Sequence, residues 1–393
     1  MPTDLKRMIA RITPDVISLR RDLHTHPELS FHEQRTAQVL AKHLESLGID
    51  VQTGVGRTGV VGLLKGGAKG KTVAIRADID ALPVTETADR VYRSKNAGVM
   101  HACGHDGHAA IVAGAAYVLS KIAPELKGQV KFLFQPAEET ANGAMAMIKD
   151  GAMKNPKPDA MVSIHLWNYL PVGTVGLRGG ALWASVDDLR ITIKGRGGHG
   201  GLPHQTIDPM PTAAQVVVAL QQIVSREVSP FQPVVLTIGS IKGGTAYNII
   251  PEQVTMNGTL RTYDMKLRDH LIGRIETVLK GICHAMRCEY EFEARFCCPP
   301  LINDPKLTEF VRGVCTKAFG AKRVVTVDQA TTGDDVAYFF DHAPGCYIMV
   351  GSGNAKKGFD KPHHHPQFDF DEDALPVGVE ALVRSTVEYL KRG

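Results

Sequence analysis

Three histidines, a cysteine and an aspartate fall within eight consecutive positions, His101-Ala102-Cys103-Gly104-His105-Asp106-Gly107-His108. Imidazole and thiolate are the usual protein ligands for zinc and related divalent ions. Glycine at 104 lets the backbone turn tightly enough for Cys103 and His105 to converge. Asp106 falls where the apolar stretch Ala109–Leu119 would start a helix, a position suited to an N-cap. A lone Cys-x-His would be better explained as a polar turn. This density of donors, joined by the partners described next, favours a metal site.

Those partners lie at the ends of apolar runs. Glu138 and Glu139 follow the run Gln129–Phe134 after a proline, and His165 follows Asp159–Ile164. Successive side chains of an extended segment point in opposite directions. One carboxylate of the pair can therefore bind metal while the other faces substrate or an attacking water. With the run His363-His364-His365, the available donors are Cys, His, Glu, His and His, a set suited to two ions sharing the thiolate. Paired ions about 3.5–4 Å apart bring the pKa of a shared water near neutrality. A carboxylate in reach then takes its proton and delivers it to the leaving amine.

Other segments have competing readings. His199 sits in the glycine-rich stretch 195–201, where an exposed loop histidine and a turn that happens to contain one are equally compatible. Gly243–Pro251 is a second loop, and Arg261 follows in a strand. Arginine suits bidentate carboxylate binding, although a surface strand arginine is the commoner role. His24-Thr25-His26-Pro27-Glu28 looks like a ligand cluster but lies in a helical region with caps and surface charges of its own, so we read it as structural. Cys297-Cys298 read as buried small apolar groups.

The elements that must position these groups follow from periodicity. Helical spacing covers Asp15–Leu47 with a break near Pro27, and strands are expected at Gly59–Leu64, Thr72–Ile79, Gln129–Phe134 and Asp159–Ile164. Helices at about 106–122 and 143–150 alternate with them, which implies a mainly parallel sheet covered by helices. Ligands of such sheets bind beyond the carboxyl ends of the strands, where Asp78/Asp80, Glu138/Glu139 and His165 all fall. From about 183 to 297 the order becomes β-α-β-β-α-β, that of a ferredoxin-like unit, which reads as an inserted α+β domain. The α/β pattern then resumes with helices at about 305–319, 332–340 and 372–390 and a strand at 345–350. The expected boundaries are 1–182, 183–297 and 298–393.

Composition excludes several classes. With 393 residues, 44% apolar and 22% charged, the chain can bury a sizeable core. A net charge of +4 without a basic run argues against nucleic acid, and no apolar run is long enough to span a membrane. Met1–Arg11 has no apolar signal stretch, and seven cysteines without framework spacing point to reduced thiols and a cytoplasmic location.

The segments RADIDALP (76–83), MHACGHDGHAA (100–110), FQPAEE (134–139), GRGGHGGLPH (195–204), GGTAYNIIP (243–251) and HHPQFDFDED (364–373) occur in the order seen in the M20 metallopeptidases. The chain resembles their amidohydrolase branch, the hippurate hydrolases, N-acyl-amino-acid amidohydrolases and auxin-conjugate hydrolases. The resemblance implies an exopeptidase-type α/β catalytic domain with a ferredoxin-like lid and dimerisation domain. It implies two divalent ions (Mn, Zn, Co or Ni) held by Cys103, His105, Glu139, His165 and a late histidine. The register two residues before a proline selects His364 for the last. Glu138 would be the general base and His199 the oxyanion donor, commonly to the other subunit of a dimer, while Asn248 and Arg261 match positions that hold the substrate carboxylate. Asp80 stands where the broader family has a ligand, and in this Cys-x-His branch it is expected to support the ligands instead. The expected reaction is hydrolysis of small N-acyl amino acids, hippurate-like, by a metal-activated water. A dipeptidase, aminopeptidase or N-succinyl deacylase would use the same residues. A non-catalytic binding module is opposed by the intact set of ligands, base and lid histidine.

Overall fold

The computed structural model describes residues 2–392, which form two compact units. The first comprises residues up to 182, 302–328 and from 334 onward; the second comprises 183–301 and 329–333.

An eight-stranded sheet organises the first unit. Its central strands Lys127–Gln135, Ala68–Asp78, Ala160–Pro171 and Gly345–Gly353 run parallel to their neighbours in that order. The hairpin Asp50–Val55/Gly59–Lys65 joins antiparallel at one edge, and Val175–Leu177 and Val324–Thr326 complete the other. The sheet is therefore mixed and mainly parallel, as the alternating pattern predicts. The helix His105–Lys121 is buried on nearly every side, because AAIVAGAAYVL offers no polar face. It packs against the first helix, Pro2–Thr25, and the last, Ala374–Leu390.

The second unit holds a four-stranded antiparallel sheet in the order Val234–Gly243, Gln253–Thr262, Ser185–Lys194, Glu289–Cys298. Helices Pro209–Gln222 and Met265–Ala285 bury Val216, Leu220, Leu271, Ile275 and Leu279 with Ile191, Ile193 and Met256 of that sheet. Asp208 and Asp264 cap the two helices by accepting backbone N–H bonds.

Several elements differ from their sequence-based expectation. The first helix begins at Pro2 and runs through Pro14. Burial of Leu5, Ile9, Ile12 and Val16 offsets the hydrogen bond a proline removes. The strand expected to end at His165 continues to Pro171, because Gly345–Gly353 pairs with it that far. The helix expected at 332–340 is only Ala337–Phe340. Asp106 does not cap its helix; Gly104 occupies the N-cap in the left-handed region (φ 90°).

Arg20 claims the Asp106 carboxylate instead. Its fully buried guanidinium bonds Asp106 at 2.8 Å, Asp369 at 2.5 Å and Glu372 at 3.2 Å. His24 adds a 2.8 Å bond to Asp106. Burial by itself would lower the His24 pKa, but the Asp106 charge and hydrogen bonds with Asp106 and Glu86 push it up to about 9. Of the ligand-like residues at 24–28, His24 thus helps tie the first helix to the start of the central one, while Glu28 accepts the Arg35 and Thr36 N–H groups. Removing one partner of a buried ionic network leaves the others uncompensated, at a cost of about 3–5 kcal/mol. Arg20→Met is expected to lower the free energy of unfolding by about that much in urea titration at pH 7; an unchanged midpoint would remove the network from the fold's supports.

Candidate metal centre

The Cys103–His105 turn, the segments that follow two of the parallel strands, His165 within a third and the late histidine run come together. Cys103, His105 and His165 present donor atoms within 4.8 Å of one another, as do Cys103, Glu139 and His364, and as do His105, Glu138 and Glu139. The five sequence-nominated ligands and Glu138 therefore occupy one cluster. His364, the histidine two residues before Pro366, is the member of its run that faces Glu139, with Nε2 3.6 Å from Oε1. Its backbone lies in the left-handed region (φ 66°), held by a 2.7 Å bond from its N–H to the Ala102 carbonyl. His363 turns the other way and donates from Nε2 to the Leu166 carbonyl, and His365 accepts the Gln367 N–H.

His105 and His165 are each oriented by their second nitrogen. His105 Nδ1 donates to the Asp80 carbonyl at 2.9 Å, and His165 Nδ1 donates to the Leu166 carbonyl at 2.6 Å. Both Nε2 lone pairs then face the cluster, the arrangement that metal-binding histidines adopt. His108 is also buried there but has no lone pair to give. Its Nε2 accepts the Leu166 N–H at 2.9 Å and its Nδ1 donates to Asp78 at 2.6 Å. It fixes the strand beside His165.

The Glu138-Glu139 turn depends on Asp80, expected from the sequence to support the ligands, and on Glu33, which sequence pattern does not expose. Asp80 accepts the Glu138 and Glu139 N–H groups on its two oxygens, each at 3.1 Å, and a 2.7 Å bond from Ser30. Ala137 adopts φ 52°, and its N–H donates to buried Glu33 at 2.9 Å. Glu33 in turn accepts the Thr58 hydroxyl. Behind the turn, buried Arg76 bonds Asp78 at 2.8 Å and binds Asp334 through both terminal nitrogens. Tyr347 donates to Asp334 at 2.6 Å, and Gln135 and the Ala144 N–H hold Asp335. His108 stood in the donor-rich motif but supports rather than binds, whereas Glu33, Asp334 and Asp335 gave little sign in the sequence because their partners are distant along the chain; the Gly-Asp-Asp run at 333–335 was the one available signal.

The charges of this cluster are unbalanced. Burial and the Asp334 and Glu139 charges hold the Glu138 carboxyl well above its ordinary range. Burial outweighs His105 in raising Glu139 to about 7, and burial with Glu139 and Glu138 raises the Cys103 thiol. Burial alone would lower the His105 pKa, but Asp78, a bond to Asp80 and Glu139 push it up to about 10. His105 Nε2 and Glu139 Oε1 are buried without a hydrogen-bond partner. Orphaned donors of these types, among acids whose burial disfavours their charge, fit a divalent cation.

The second unit places the remaining candidates. His199 lies on the short strand Gly198–His199, exposed and paired in register with Ile249. Asn248 precedes that partner strand, and its carbonyl accepts the Gly200 N–H at 2.7 Å. His199 and Asn248 are thus brought together. Arg261 stands apart on the strand Gln253–Thr262, bonded to Thr259 at 3.0 Å.

Comparison with known proteins agrees with this geometry. Residues 74–388 match peptidase family M20/M25/M40. The N-acyl-L-amino acid amidohydrolase of Geobacillus stearothermophilus is 44% identical over 76% of this chain and 81% of its own. Thermostable carboxypeptidase 2 of Saccharolobus solfataricus is 39% identical over 98% of each chain. The crystal structure of a Bacillus subtilis protein described as a dinuclear metal-binding peptidase of the M20 family superposes with a TM-score of 0.83 at 34% identity, over 97% of this chain and 99% of that one. The family and the name of the Geobacillus relative mark the chain as a hydrolase acting on amide bonds. The chain belongs to peptidase family M20/M25/M40.

Asp80 supports two ligand-bearing segments at once, through its carbonyl to His105 and its carboxylate to the Glu138-Glu139 turn. Groups that orient metal ligands are worth about 10–100-fold in affinity. Asp80→Ala is expected to weaken Mn²⁺ or Zn²⁺ binding by about that factor in equilibrium dialysis, with circular dichroism unchanged. Wild-type affinity would show the turn holds without it.

Proposed function

We propose that this protein hydrolyses the amide of N-acyl amino acids, releasing a carboxylic acid and a free amino acid. The observation carrying this reading is the cluster of Cys103, His105, Glu139, His165 and His364 around orphaned His105 Nε2 and Glu139 Oε1, with a second carboxylate, Glu138, beside it. These five residues would hold two divalent ions, with Mn, Zn, Co and Ni all suited to such ligands. Bound there, the ions supply Lewis-acid polarisation and acidify water.

The chain's own residues do the rest. Glu138 takes the proton of the attacking water and returns it to the departing amine nitrogen. Burial among acids suits this, because a carboxyl of raised pKa holds a proton more readily at neutral pH. His199 is the oxyanion donor. The Gly201 N–H donates to its Nδ1 at 3.0 Å, which places the ring proton of the neutral form on Nε2, free to donate. Asn248 and Arg261 take the substrate carboxylate, Arg261 as a planar cation.

We also assign the second unit as the lid and dimerisation domain. Its edge strand Val234–Gly243 and exposed Phe231, Ile241, Tyr247 and Ile249 suit pairing with a second copy. No helix among the described residues is long and apolar enough to cross a membrane. Neither membrane nor nucleic acid enters the proposal, and cysteines without disulfides suit the cytoplasm.

A peptidase reading is favoured by the similarity to a protein named as a carboxypeptidase. Amine release from hippurate, N-acetyl amino acids, N-succinyl-diaminopimelate and dipeptides, on metal-stripped protein with and without each of the four ions, decides between them. Metal-dependent cleavage confined to N-acyl amino acids is expected; cleavage mainly of dipeptides would select the peptidase reading. Glu138→Gln is expected to keep its metal and lose about 10²–10⁴-fold in kcat; parallel loss of metal would remove the base assignment.

His199→Ala is expected to lower kcat by about 10²–10³-fold with metal content unchanged. Mixing it with Glu138→Gln should restore activity if His199 serves the partner subunit, and verified mixed dimers that stay inactive would refute that arrangement.

A further inference from the structure

Glu33 is completely buried, yet among the described residues no cation pairs with it. Its Oε1 accepts the Ala137 N–H at 2.9 Å, and its Oε2 accepts the Thr58 hydroxyl. Three segments distant in sequence meet at this carboxylate. Glu33 opens the helix Gln34–Ser46, Thr58 lies in the turn of the edge hairpin, and Ala137 follows the strand Lys127–Gln135. The hairpin also closes on the residue before Ala137, since a Cβ at Gly59 would lie 2.9 Å from Pro136 Cδ. Burying a carboxylate against two donors alone is unfavourable. What it secures here is the conformation of one backbone residue.

Ala137 holds φ 52°, a conformation that disfavours an alanine by about tenfold in population. Beyond it the chain closes a small loop. The Ala137 carbonyl accepts the Asn142 and Gly143 N–H groups, each at 3.2 Å, and the Glu138 carbonyl accepts the Ala141 N–H at 2.7 Å. Gly143 shuts the neck of this loop, where an added Cβ would lie 1.5 Å from the Pro136 carbonyl oxygen. Glu138 and Glu139 ride on the loop, so the φ of Ala137 sets the direction in which both leave the strand. Asp80 grips the N–H groups of the two acids themselves, whereas Glu33 holds the residue before them. We propose that Glu33 is a positioning residue for Glu138: a clamp, braced by Thr58, that keeps Ala137 left-handed and so aims the carboxylate. Without the clamp the Ala137 N–H loses its partner and the alanine relaxes toward negative φ. This goes beyond the hydrolytic reading above and rests on it for the role of Glu138 as the base.

The test compares wild type with Glu33→Ala, Glu33→Gln, Thr58→Val, Ala137→Gly and the double variant Glu33→Ala/Ala137→Gly, each checked for folding by circular dichroism. Turnover of N-acetyl-L-alanine and N-benzoyl-L-alanine is measured with Mn²⁺ loaded, and equilibrium dialysis of Mn²⁺ gives a readout independent of catalysis. Misplacing a reacting group by about 1 Å lowers the rate by up to ~100-fold. Glu33→Ala is therefore expected to lower kcat by about 10–100-fold with KM little changed, and to weaken Mn²⁺ binding by about tenfold through Glu139. Glycine populates positive φ about as readily as negative. The Glu33→Ala loss should thus be several-fold smaller in an Ala137→Gly background, a repair that a purely structural role does not give. Glu33→Gln should behave as wild type, because its amide oxygen still accepts the Ala137 N–H and its NH₂ can donate to Thr58. Wild-type kcat and affinity in Glu33→Ala, or an equal loss in both backgrounds, would overturn the clamp. So would a Glu33→Gln variant as impaired as Glu33→Ala, which would assign the effect to charge. If wild type releases no amine, an Mn²⁺ affinity lost in Glu33→Ala and repaired by Ala137→Gly would support the clamp and overturn the hydrolytic reading. Should Glu33→Ala fail to fold, Thr58→Val carries the test. It keeps the side-chain shape, removes the hydroxyl that fixes Oε2, and is expected to lower kcat about threefold; no change there would overturn the clamp.

Discussion

Placing a thiol and several carboxylates together out of water is unfavourable unless positive charge or hydrogen-bond donors offset them. The first unit is arranged around that constraint. Arg76 neutralises Asp78 and Asp334 on one side of the Glu138-Glu139 turn, and Asp80 is satisfied by backbone N–H groups on the other. What is left unpaired, His105 Nε2 and Glu139 Oε1, lies where a divalent cation would complete the balance. These two orphaned atoms are the ones that belong to the candidate ligands.

The scaffold achieves this by pinning backbone more than side chains. His108 accepts from the Leu166 N–H, Asp80 accepts two consecutive N–H groups, Glu33 accepts the Ala137 N–H, and the Ala102 carbonyl accepts from His364. Two of the pinned residues, Ala137 and His364, sit at positive φ, a conformation that costs about 1–3 kcal/mol unless its surroundings hold it. Strain at these two points turns the chain so that consecutive residues serve different tasks. His363 stacks with rings while His364 faces Glu139, and Glu138 and Glu139 divide between base and ligand in the proposed mechanism.

The same residues also connect chemistry to stability. Asp106 is the next residue after His105, yet its carboxylate belongs to Arg20 and His24 of the first helix. Gly107 fits where a Cβ would come within 2.5 Å of Leu166 and Phe370, so the central helix lies close against the strand that carries His165. The ligand turn is therefore braced by the core on both flanks, which limits how far His105 can move relative to His165.

Much of this was legible in the sequence. Periodicity gave the parallel sheet and the inserted α+β pattern, because burial on two faces or one leaves a direct imprint on residue order. Donor residues at strand ends, with the Cys-x-His turn, marked the site, since ligand chemistry restricts residue types so narrowly. Within His363–His365 only the family resemblance pointed to His364, the one whose Nε2 lies near Glu139, and the strand's extension past His165 was not legible at all, because pairing with Gly345–Gly353 comes from far along the chain. Asp106 read as a helix cap until Arg20 was seen to claim it. The sequence by itself determined which groups are available and which strands carry them. Only the tertiary structure decided which nitrogen of His105 stays free, that neither nitrogen of His108 does, which acids support and which face the centre, because those outcomes depend on hydrogen bonds between residues tens to hundreds of positions apart.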